Sequence, residues 1–150
     1  MKGPADETDR RILSILDKGA KAKLHSIARK LGIPSSTVHH RIRGMEKEGV
    51  IRGWSVIKDY RKLGLCIKAH LLVFVNVSDL KRMGKTQEDV ASELLKVPGV
   101  EGAEIVTGEA DLLVTVRCRD MDDYRRVLLE RIQAISGIEK TKTMIVISGR

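Results

Sequence analysis

The chain is 150 residues long, with 42% hydrophobic and 32% charged residues and a formal net charge of +8. That balance excludes a disordered or low-complexity chain and leaves room for one globular domain or two small ones. The positive excess is uneven: residues 1–60 hold 13 Lys and Arg against 7 Asp and Glu (+6), residues 61–150 hold 15 against 13 (+2), so the N-terminal part is the one suited to a polyanionic partner.

The segment TDRRILSILDK, residues 8–18, puts Ile12, Ile15 and Leu16 on one helical face, with Leu13 beside them. Thr8 or Asp9 is the expected cap, and Gly19 the stop. A short basic loop follows. Leu24, Ile27, Ala28 and Leu31 then mark a second, shorter helix ending at Gly32, and Ile33-Pro34 begins a turn. A third helix runs from a cap at Ser35 or Ser36 to about Glu48. The segment VIRGWSVI, residues 50–57, alternates well enough for a short strand, and KDYRKLG reads as a connector.

From residue 67 the pattern changes class. AHLLVFVNV is strand-like, and TQEDVASELLKV is helical, with Thr86 and Asp89 in capping-box spacing. AEIVT is a strand, GEAD a turn and LLVTVRCR another strand. MDDYRRVLLERIQAIS is a helix with Tyr124, Val127, Leu128, Ile132 and Ile135 on one side, closed by Gly137, and IEKTKTMIVI is a final strand. The order β-α-β-β-α-β is that of a split βαβ, ferredoxin-like sandwich. The expected class is therefore α+β: three helices over residues 1–50, a short strand and connector over 51–66, and the sandwich over 67–150.

The third helix carries the most chemistry. At about 100° per residue, Val38, Ile42 and Met45 form one narrow apolar stripe, while Ser36, His40, Arg43 and Lys47 lie nearly opposite, flanked by Thr37, His39 and Gly44. Ala28, Gly32 and Val38 stand four and then six residues apart, the small, turning and apolar positions of a helix-turn-helix, whose second helix enters the major groove of DNA. Ser35, Ser36 and Thr37 sit at the helix N-terminus, where backbone N–H groups favour phosphate. Arg43 suits a guanine edge and His40 a base edge; His39 flanks them, and Arg41 and Lys47 are the expected phosphate contacts. A solvated polar face explains one such helix alone, but the three-helix context and the local charge favour nucleic acid.

Adjacent His39 and His40 point about 100° apart and do not converge on one ion. With His25 the only other histidine nearby and no cysteine close in sequence, no metal site is expected. His70 reads as a satisfied strand residue. Cys66 and Cys118 form neither a disulfide framework nor a zinc spacing, which suits a reducing compartment. MKGPADETDR has no apolar signal core, and the run around AHLLVFVNV is half the length of a membrane span, so a cytoplasmic protein is expected.

The run TDRRILSILDKGAKAKLHSIARKLGIPSSTVHHRIRGMEKEGVIRGW, followed by DYRKLG, resembles the N-terminal half of the Lrp/AsnC, or feast/famine, transcription regulators. TGEADLLV within a βαββαβ pattern resembles their C-terminal effector-binding domain, termed RAM. The resemblance covers essentially the whole chain. It implies helix-turn-helix contact with double-stranded DNA and dimerisation through the sheet. It also implies assembly into tetramers, octamers or open arrays, and an amino-acid effector between dimers, with no other cofactor.

Gly108 and Asp111 match that family's Gly-x-x-Asp turn. Gly admits a ligand carboxylate close to the backbone and Asp pairs with an α-ammonium; a β-hairpin turn calls for the same two residues. Thr107 adjoins them, and Thr141 and Thr143, on one face of the last strand, either line the same site or are ordinary strand threonines. Where many relatives carry an aromatic residue before the aspartate, this chain has Ala110, so effector identity does not transfer. The leading expectation is a sequence-specific transcription regulator, nucleoid-associated, whose assembly or DNA occupancy responds to an amino acid or related metabolite. The alternatives are an architectural DNA-binding protein and an enzyme like the sirohaem decarboxylases. No carboxylate pair or nucleophile–base spacing supports the enzyme.

Overall fold

The computed structural model describes residues 5–19 and 22–148. Part of the basic loop expected after Gly19, and the first four residues of the N-terminal segment, lie outside them. The chain folds as two compact units, Met1–Lys58 and Asp59–Arg150, and their boundary falls inside the segment expected as strand and connector.

In the first unit, α1 spans Glu7–Lys18, α2 Leu24–Leu31 and α3 Ser35–Lys47. The α1 cap is Asp6, neither Thr8 nor Asp9. Asp9 N–H donates to Asp6 Oδ1 at 2.9 Å and Asp6 N–H to Asp9 Oδ2 at 3.2 Å, so Asp9 is the third helical residue of a reciprocal capping box. Gly32 ends α2 at φ 67°, a left-handed conformation that glycine adopts without steric cost. The α3 cap is Pro34, with no side-chain capping bond, which corrects the expectation of Ser35 or Ser36. Ile12, Leu16, Ile27, Ala28, Val38, Ile42 and Met45 form this unit's core.

Residues 50–57 form no strand. Among the described residues no neighbouring strand offers them a ladder, so alternation alone builds nothing there. Trp54 is half-exposed, and Ile57 is 93% exposed.

The second unit contains β1 (Ile67–Val75), α4 (Val77–Met83), α5 (Gln87–Leu95), β2 (Val100–Ile105), β3 (Leu112–Cys118), α6 (Met121–Arg126) and β4 (Ile138–Ile145). The strands form one antiparallel sheet in the order β2-β3-β1-β4, the ferredoxin-like order, with β1 and β3 central. Burial alternates strictly along β3, where Leu112, Val114, Val116 and Cys118 are buried and face the helices. Ala69, Leu71, Val73 and Val75 do the same on β1. The expected capping box at Thr86 and Asp89 is present on α5.

Two features depart from the periodicity. α4 has no long apolar pattern; it is started by Asn76, whose Oδ1 accepts from Ser78 and Asp79 N–H, and ended by Gly84. The single helix expected over 121–136 is α-helical only through Arg126 and continues as a π-helical segment, Val127–Ile132. Val127 and Ile132, five residues apart, are both buried. An i→i+5 ladder draws them closer together on the buried face, whose two edges they would occupy in an α-helix.

Candidate nucleic-acid and effector sites

Val38, Ile42 and Met45 anchor α3 in the core, so its outer face is fixed by packing. Ser35, Ser36, His39, His40, Arg43 and Lys47 are exposed, and Thr37 is half-buried at the edge. With Pro34 as cap and no side-chain acceptor, the first-turn N–H groups at Ser35, Ser36 and Thr37 have no intrahelical carbonyl and are directed outward with the positive end of the helix dipole.

Arg41 is placed differently from the other expected contacts. Its Nη1 donates to Asp6 Oδ2 at 2.6 Å and to Asp9 Oδ1 at 2.9 Å, and its side chain is 24% exposed. The guanidinium ties α3 to the start of α1, and hydrogen bonding to it holds the Asp6 carboxyl below the usual carboxylate range. Arg43 stays largely exposed and makes one bond to Glu46 Oε2 at 3.3 Å. Glu46 Oε1 in turn accepts from Trp54 Nε1 at 3.1 Å, which seats the indole against α3. The sequence shows a carboxylate in the last turn of α3, but not that an indole from the following segment would fix it.

In the second unit, Thr107, Gly108 and Glu109 form an exposed turn between β2 and β3, with Gly108 at φ 129° and Ala110 buried behind it. Asp111 is half-buried and both its oxygens are engaged. Oδ2 accepts from Val75 N–H at 2.9 Å and Oδ1 from Gln87 Nε2 at 3.1 Å. The β1–β4 register shifts between Phe74 and Val75, and the carboxylate takes up the N–H at that irregularity. Gln87, the first residue of α5, is absent from the sequence-based set because it stands 24 positions from Asp111. Glu109 pairs with Lys142 across the sheet, which lowers the Glu109 carboxyl.

Thr141 and Thr143 lie farther off. Thr141 and Leu112 face Val73 from opposite sides, so two strand spacings, roughly 10 Å, separate Thr141 from the Asp111 end of β3. Both hydroxyls are bound on the helix side: Thr141 accepts from Gln133 at 3.0 Å, and Thr143 lies 2.6 Å from the Tyr124 hydroxyl. His70 is a satisfied strand residue, its Nδ1 3.2 Å from Thr115 Oγ1. No group of three or more candidate metal ligands occurs among the described residues, and no described helix is long and apolar enough to cross a membrane.

A helix-turn-helix with a cationic outer helix, joined to a ferredoxin-like unit with a Gly-x-x-Asp turn, defines a two-part DNA-binding regulator. The Lrp/AsnC ligand binding domain matches residues 72–149, and a winged helix-turn-helix DNA-binding domain matches residues 6–52. An HTH-type transcriptional regulator of Pyrococcus furiosus is 35% identical over 140 residues, covering 93% of this chain and 91% of the relative. The HTH-type transcriptional regulator FL11 of Pyrococcus horikoshii is 37% identical over 147 residues, covering 98% and 92%. Among solved structures, E. coli AsnC superposes with a TM-score of 0.83 at 25% identity, covering 98% of this chain and 95% of that one. A feast or famine regulatory protein of M. tuberculosis complexed with L-methionine shares the fold, with a TM-score of 0.85 at 23% identity and coverages of 97% and 94%. The chain belongs to the Lrp/AsnC family of transcription regulators.

Proposed function

We propose that this regulator reads a pseudo-palindromic DNA site with α3 in the major groove and that an amino acid bound at the 107–111 turn sets its occupancy. The observation that carries the DNA half is the division of α3: its apolar stripe is spent on the core, and Ser36, His40, Arg43 and Lys47 face outward together. Arg43 and His40 are the base-reading groups, with His39 beside them. Ser35, Ser36, Thr37 and Lys47 take phosphates. Arg41, held by two carboxylates, orients α3 and does not contact phosphate itself.

Homodimers, and higher assemblies of them, present paired recognition helices at helical-turn spacing. The sheet supports this: one face is covered by helices, while Leu72, Phe74, Leu113 and Met144 line the other, where no helix of the unit's described residues packs. The effector half rests on the turn and on neighbours solved with L-methionine. Asp111 takes the α-ammonium, the backbone at Thr107 and Gly108 takes the carboxylate, and Thr141 and Thr143 hold the sheet to the helix side through Gln133 and Tyr124. No catalytic constellation accompanies these residues, and we assign the protein to the cytoplasm, on the nucleoid, without enzymatic activity or cofactor.

Binding of an enriched genomic fragment and of its shuffled sequence, each with and without L-methionine, tests the reading. A specific-to-random affinity ratio above about a thousandfold is expected of a sequence reader. A ratio near one assigns the protein to architectural DNA binding instead.

A further inference from the structure

The second unit has a cleft of about 420 Å³ at the end of the sheet away from the effector turn. Leu112, beside Asp111, and Cys118, beside Arg119, are the two ends of β3, roughly 20 Å apart at the rise of a strand. The cleft is therefore separate from the site proposed for an amino acid.

Four arginines line it, Arg117, Arg119, Arg126 and Arg131. Arg119 and Arg126 share a single carboxylate, Asp123, at 3.2 and 3.4 Å, so most of their N–H donors remain unused. Arg131 has no ion-pair or hydrogen-bond partner among the described residues, and neither has Glu130 on the same wall. Arg117 also borders the cleft, but its guanidinium is committed to Glu101 at 2.9 Å and to the Tyr60 ring at 3.5 Å.

The backbone supplies a second, independent observation. Arg131 and Glu130 belong to the π-helical segment, and in an i→i+5 ladder residues four and five apart share a face. Asp123, Arg126, Val127, Glu130 and Arg131 all line the cleft from this continuous helical stretch, at the i, i+3, i+4, i+7, i+8 positions that share one helix face. Single π turns occur frequently at functional sites.

The geometry points to a second ligand site in this regulator, one that binds a small metabolite through a phosphate group. Arg119, Arg126 and Arg131 on one cleft, with most of their donors unused, offer charge-assisted bonds to the terminal oxygens and near-double charge of a phosphate monoester. Leu65 and Val127 give the organic part an apolar wall.

The test is calorimetric titration of the full-length protein with inorganic pyrophosphate in chloride-matched buffer, alongside Arg126→Gln, Arg131→Gln and Arg125→Gln. Arg125 is exposed on the same helix but does not line the cleft, so it controls for general charge. The expected result is saturable binding, weakened about tenfold or more by the first two substitutions, the loss of one charge-assisted contact, and unchanged by the third. Circular dichroism of each variant confirms the fold. Absence of saturable binding overturns the site, as does an equal loss in Arg125→Gln. Loss of random-sequence DNA affinity in Arg126→Gln and Arg131→Gln, without pyrophosphate binding by the parent, reassigns the arginines to the DNA backbone.

Discussion

Arg41 reaches from the middle of α3 to place its Nη1 2.9 Å from Oδ1 of Asp9 in α1, a carboxylate that is itself part of the α1 capping box. One contact thus joins helix initiation in α1 to the orientation of the outward-facing helix. Removing the guanidinium leaves a buried carboxylate unpaired, and we predict that Arg41→Ala lowers the melting temperature of the first unit and weakens all DNA binding without changing sequence preference. The pH dependence follows from Asp6, whose folded-state pKa is lowered mainly by its hydrogen bond with Arg41. Such a group adds stability above its unfolded pKa of about 4, and the contribution is lost as pH falls through the lowered folded value. The difference in melting temperature between parent and Arg41→Ala should therefore be full at pH 7 and shrink below about pH 4. A difference that persists unchanged at pH 3 would show that the ion pair is not its source.

Arg43 is the exposed cation on α3 best placed for a base edge, since its one partner, Glu46, is also held by Trp54. Arg43→Ala should reduce discrimination at one or two base pairs by about 1–3 kcal/mol, measured as the ratio of affinities for the selected site and its single-base variants. Equal losses on selected and random DNA would move Arg43 to the phosphate contacts.

At the effector turn, Asp111→Ala and Asp111→Asn separate a ligand role from a turn role. The alanine variant leaves the Val75 N–H without its acceptor and should cost about 1–3 kcal/mol in denaturant unfolding. The asparagine variant keeps an acceptor and should be less destabilised, yet its neutral amide does not neutralise an ammonium. Both should lose amino-acid response. Full response in the asparagine variant would make Asp111 a turn residue alone.

Gly137 stands at φ 100° between the π-helical segment and β4, and a Cβ there would collide with Leu80 Cδ2. Gly137→Ala combines backbone strain with overpacking against α4 and should destabilise the second unit by about 1–3 kcal/mol in equilibrium unfolding.

Where periodicity and capping chemistry agreed, the sequence was sufficient. Val38, Ile42 and Met45 identified the buried face of α3, Thr86 and Asp89 the start of α5, and the strand order followed from the succession of elements. What local pattern does not carry is long-range pairing. Residues 50–57 alternate like a strand but have no strand beside them among the described residues. Asp6 lies 35 positions from Arg41 and Gln87 24 from Asp111, so neither partnership leaves a local trace. The π-helical turn was hidden for a different reason: Tyr124, Val127, Leu128, Ile132 and Ile135 also fit one α-helical face, so the apolar spacing does not distinguish the two ladders.

Selection of genomic DNA fragments by the purified protein at moderate salt tests the central claim most directly. We predict enrichment of one short pseudo-palindrome, with half-sites spaced by whole turns of DNA and its enrichment reduced by Arg43→Ala while recovery of bulk DNA is unchanged. Recovery of fragments with no shared motif would contradict sequence reading and leave the outer face of α3 as a general cationic grip on the backbone.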